Sequence, residues 1–172
     1  MTKIKQQSKQ DAYTSNLLIS LLMRFPEIMS INFNTENEQA KFTFFLHGCP
    51  DKDEYKRFGS LLRESLAAYE ELTGEKVQVK PKMIRSGKLN LLEVSCCTAA
   101  LTLEGIQLIT GIVDNAFPDR LMIDADTAEV IHDEEMLRQE EIIEYLLTHS
   151  TGTKKENLIA FREAGKVFVY DK

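Results

Sequence analysis

At 172 residues the chain is long enough for one domain and buries roughly 70% of the surface its unfolded form exposes, so it needs no disulfide or metal to hold a core. Its net charge is -6, and residues 101–149 hold twelve Asp/Glu against two Lys/Arg, which disfavours a broad nucleic-acid footprint. Three cysteines without a secretory leader predict a reduced, cytoplasmic protein, and the longest apolar run, residues 17–23, is too short to span a membrane.

In chain order, residues 1–11 are polar and read as a mobile tail of a domain spanning 1–172. Leu17, Leu18, Leu21, Leu22 and Phe25 form the apolar stripe of a first helix that Pro26 stops. Two alternating segments follow, with Met29, Ile31 and Phe33 on one face of the first and Ala40, Phe42, Phe44 and Leu46 on one face of the second. The polar stretch 34–38 joins them as an antiparallel hairpin. Phe45 is the apolar exception on the outer face.

Asp51 and Glu54 have capping-box spacing. Tyr55, Phe58, Leu62, Leu66, Tyr69 and Leu72 then predict a long amphipathic helix, with Gly74 as its stop. Val77 to Met83 alternates with Gln78, Lys80 and Lys82, and Pro81 makes it an edge strand or a bulge. Lys76, Lys80, Lys82, Arg85 and Lys88 cluster here. Such cations either discourage unwanted pairing or form an anion or partner patch. Ser86-Gly87 turns into the strand Leu89–Cys97. Thr102 caps a helix running to Phe117, and Leu121 to Ile123 start another strand. Asp133 heads a helix from Glu134 to about Thr148. Residues 158–162 and 167–170 close the chain as a hairpin with Gly165 in the turn. Gly59, Gly105 and Gly111 are candidate close-packing positions within helices.

These elements predict an α+β fold, a mixed, mostly antiparallel sheet with helices packed on one face, in the order αββαββαβαββ. The opening order of helix, hairpin, helix, hairpin resembles that of roadblock/longin-like and profilin-like domains.

Asp124-Ala-Asp126-Thr127 resembles the Asp-x-Asp-x-Thr that opens haloacid-dehalogenase-type phosphatases, where the first Asp attacks phosphorus and the second handles the leaving-group proton. That motif opens a large α/β domain, whereas only 46 residues follow Asp126 here. Asp124, Asp126 and Glu135 also fit three positions of a calcium-binding loop, but Ala128 replaces a ligand and Glu129 stands where the turn needs glycine. His47, Cys49, Cys96 and Cys97 lack zinc-ligand spacing, and adjacent strand cysteines point to opposite faces.

The sequence therefore predicts a non-enzymatic regulatory or protein-interaction module without a cofactor, acting on a protein partner or as a homodimer. The alternative is a metal-dependent hydrolase or phosphoryl-transfer enzyme using Asp124 and Asp126 with His132 or Glu135.

Overall fold

The computed structural model describes residues 9–124, 133–149 and 155–171. The elements are α1 (Lys9–Arg24), β1 (Ser30–Asn34), β2 (Gln39–His47), α2 (Lys52–Thr73), β3 (Val79–Ser86), β4 (Leu89–Cys97), a 3-10 turn (Thr98–Ala100), α3 (Leu103–Ala116), α4 (Asp133–His149), β5 (Asn157–Glu163) and β6 (Lys166–Asp171). Helix α1 begins at Lys9, so residues 9–11 of the expected tail are helical.

The six strands form one sheet in the order β3-β4-β2-β1-β5-β6, and each pairs antiparallel with its neighbours. Alternation decides which face is buried. Ile31, Phe33, Ala40, Phe42, Phe44, Leu46, Leu92, Val94, Leu158, Ala160 and Val169 all point to the helix side and are buried. The helices lay their own stripes on that face. Leu17, Leu18, Leu21 and Leu22 of α1, Phe58 of α2, Val113 of α3 and Ile143 of α4 are fully buried.

The strand expected from Leu121 is one bridging residue, paired antiparallel with Leu46. It lies where β2 runs on past the end of β1, and it holds there through His47 N–H donating to Arg120 O at 2.7 Å and Met122 N–H donating to Phe45 O at 2.9 Å. Beyond it Asp124 N–H donates to Pro26 O, which turns the chain away from β2.

The capping box of α2 forms as its sequence implies. Asp51 accepts from Glu54 N–H, and Glu54 accepts from Asp51 N–H. Its stripe is buried only in part: Phe58 and Leu62 are buried, Tyr55, Leu66 and Tyr69 are half-buried, and Leu72 is 86% exposed. A helix of 22 residues spans about 33 Å and its neighbour α3, of 14 residues, about 21 Å, so the last turns of α2 overhang. The helix glycines are not packing positions between helices. A β-carbon at Gly111 would meet nothing within 4 Å, and at Gly59 or Gly105 it would approach only a side chain of the same helix end.

Candidate functional site

Asp124, the first residue of the suspected catalytic pair, is held by an arginine from the far end of the chain. The Arg162 side chain is 2% exposed and lies 3.6 Å from the Asp124 carboxylate, itself 12% exposed. The same guanidinium donates to Leu22 O, to Phe25 O at 3.1 Å and to Ile28 O at 3.1 Å. These carbonyls lie at and just beyond the C-terminus of α1, where helix carbonyls lack partners and the dipole favours a cation. Arg162 thus ties α1, β5 and the 118–124 segment together. Burial lowers its pKa, and Asp124 raises it. Asp126 and His132 lie outside the described residues. Glu135 is exposed near the start of α4.

A second polar group surrounds Glu27. Burial raises the pKa of this carboxyl and Asp114 adds to the shift, against a backbone hydrogen bond, Arg24 and Arg162. Its Oε1 is buried with no hydrogen-bond partner among the described residues. Nearby, Glu140 of α4 accepts from Arg24 Nη2 at 2.8 Å and from Gln107 at 3.1 Å, joining α4 to α1 and α3.

Four residues before Asp124 on the same segment, Arg120 grips Glu54 through two bonds, Nε to Oε2 at 2.8 Å and Nη2 to Oε1 at 2.9 Å, and donates to His47 O at 3.0 Å. The Arg120 hydrogen bond holds the Glu54 carboxyl below its ordinary range. Gly48 has φ +69°, and a β-carbon there would lie 2.8 Å from Arg120 Nη1. These contacts fasten the loop before α2 to the segment after α3.

Cys96 is buried, its thiol pushed up to about 12 by desolvation, while Cys97 and Cys49 are exposed and all three are free. Among the described residues no three His, Cys, Asp or Glu side chains converge as metal ligands, and no helix is long and apolar enough to cross a membrane.

The sheet face turned away from the helices is covered by no described element. Register places Ile159, Phe161, Phe168 and Tyr170 on it together. The Phe161 ring lies 5.6 Å from Phe168 and 5.4 Å from Tyr170, at interplanar angles of 26° and 11°. Tyr170 is 37% exposed and the other three are half-buried. On the other side of the face, Ile84, Leu91 and Phe45 form a row across β3, β4 and β2. Ser30, Asn32 and Thr43 lie between the two apolar groups. Lys80 and Lys82 border the face on β3, and Lys41 lies 3.9 Å from Glu93 within it.

Phe45 stands out in the sequence as an outward apolar residue, whereas the aromatic group does not follow from a single strand's alternation. The available signal was that both closing strands are apolar on both phases, with Leu158 and Ala160 alternating with Ile159 and Phe161. A hairpin with two apolar faces has a second surface to cover. Arg162 on the inward phase was the matching signal for a buried cation.

Comparison of the chain with protein-family models, curated proteins and solved structures finds no match.

Proposed function

We propose that the protein is a non-enzymatic protein-interaction module that presents the uncovered face of its sheet to a partner protein. The observation that carries this reading is the stacked group Phe161, Phe168 and Tyr170 with Ile159, on a face that no described element covers. Contiguous apolar surface of this kind marks interaction sites, and aromatic side chains dominate interface energetics. The partner's surface is apolar opposite the aromatic group and acidic toward Lys80 and Lys82. The pairing of Asp124 with Arg162 supports this reading over hydrolysis, because a carboxylate held against a buried guanidinium is poorly placed to attack phosphorus or bind an ion.

A photo-crosslinking residue at Tyr170, with the same residue at Leu72 on α2 as control, tests the proposal in cells. The expected result is a discrete adduct from position 170 that Phe168→Glu abolishes while the circular dichroism is unchanged. An adduct of twice the chain mass would identify a second copy as the partner. The same adducts from both positions would sink the reading. A phosphatase panel with and without Mg²⁺ should stay silent, and Mg²⁺-dependent activity lost in Asp124→Asn would restore the hydrolase alternative.

A further inference from the structure

The sheet ends differ in charge, and the difference specifies a partner. Strand β3 is terminal, so its outer N–H and C=O groups have no strand partner among the described residues. Residues 76–88 hold five cations and no anion, in a chain of net charge -6. Lys76, Lys80, Lys82, Arg85 and Lys88 are all exposed, and none forms an ion pair among the described residues. The opposite edge, β6, carries both Lys166 and Asp171 and shows no such bias.

We infer that the outer edge of β3 takes an extended acidic segment of a partner protein as an added strand. This rests on the interaction-module reading and names the chemistry of the partner. Strand addition draws affinity from main-chain hydrogen bonds and specificity from alternate side chains. Lys80 and Lys82 project on the open face about 7 Å apart, the repeat of every second residue in a strand. Val79 and Met83, half-buried, project on the helix side. The segment that fits therefore alternates acidic and apolar residues. A second copy of β3 does not fit, because its lysines would stand against lysines, and like charges directly opposite destabilise a ladder. Pro81 cannot donate, which further weakens indiscriminate pairing. The same lysines that repel other strands attract an acidic one, so a single feature supplies both rejection and selection. A nucleic acid fits less well, since its phosphates would run from this edge onto Glu93 and a net-acidic body.

Fluorescence anisotropy with a labelled octapeptide of alternating Glu and Val tests the inference. Comparators are the alternating Lys/Val peptide, a Glu/Val peptide with its residues in two blocks, and single-stranded oligo-dT. The alternating acidic peptide should bind and slow amide hydrogen exchange in β3. Lys80→Glu with Lys82→Glu, both exposed, should weaken it roughly tenfold or more and transfer binding to the Lys/Val peptide, whereas Lys166→Glu on β6 should change little. The blocked peptide should bind several-fold more weakly if strand pairing, and not charge alone, holds it. Equal binding of both alternating peptides, no loss on charge reversal, tighter binding of oligo-dT, or no peptide binding would each overturn it. If crosslinking at Tyr170 persists while the peptide fails, only the edge assignment falls; if both fail, the interaction reading falls with it.

Discussion

Arg162 does at one point what a C-terminal capping residue and a buried ion pair usually do separately. Arg162→Met would remove a donor from the carbonyls at and just beyond the end of α1 and a guanidinium from beside Asp124, and breaking a buried pair from one side typically costs about 3–5 kcal/mol. Urea denaturation should show a loss of that size, and adding Asp124→Leu should recover part of it by removing the stranded charge. Glu27 gives a pH signature. Its folded carboxyl holds a proton more tightly than the unfolded chain does, so stability falls as pH rises from the ordinary carboxylate value through the raised one. Glu27→Gln should flatten that decline and leave stability in acid nearly unchanged, as read by thermal melts across the range. The inward phase of Arg162 signals a buried cation in the sequence, but its partners and the burial of Glu27 are set by contacts too distant in sequence to be read from it. Asp124 reads as a catalytic motif because its neighbours in sequence are acidic, while its partner lies on β5.

At the scale of elements, local rules were followed closely where the chain answers only to itself. The capping box, the stop at Gly74 and the hairpins lie where turn and cap chemistry put them. The buried extent of α2 did not follow, because it depends on how far α3 reaches alongside. Leu62→Ala should therefore cost about 2–5 kcal/mol, while Leu72→Ala, nearly three turns further on, should melt with the wild type. The β5–β6 turn offers the opposite sign of effect. Ala164 has φ +51° and Gly165 φ +76°, the pair of positive angles of a type I′ turn, which Asn-Gly suits far better than Ala-Gly. Ala164→Asn should raise the melting temperature, by about 1 kcal/mol in stability, because alanine carries the left-handed penalty that asparagine tolerates.

For the whole molecule, the α+β class and the one-sided placement of helices could be read from alternation, but the strand order could not. Hairpins join neighbours in sequence, whereas the pairing of β1 with β5 depends on tertiary packing alone. The thiols report on that assembled whole. Alkylation of the native protein should label Cys49 and Cys97 quickly and Cys96 only on unfolding, so that denatured protein carries three labels. Rapid labelling of Cys96 in native conditions would show that β4 opens on its own.

The β1–β5 pairing also sets the timetable of folding. While the protein is being synthesised, β2 can settle on one side of β1 at once, but Arg162 reaches Ile28 O across 134 residues of sequence. Until then one flank of the central strand and the end of α1 have no cover, and a nascent chain in that state has an open strand edge of the kind chaperones shield. A chain cut short before the closing hairpin keeps that edge of β1 open, and the expected outcome is aggregation or chaperone binding in place of a folded sheet.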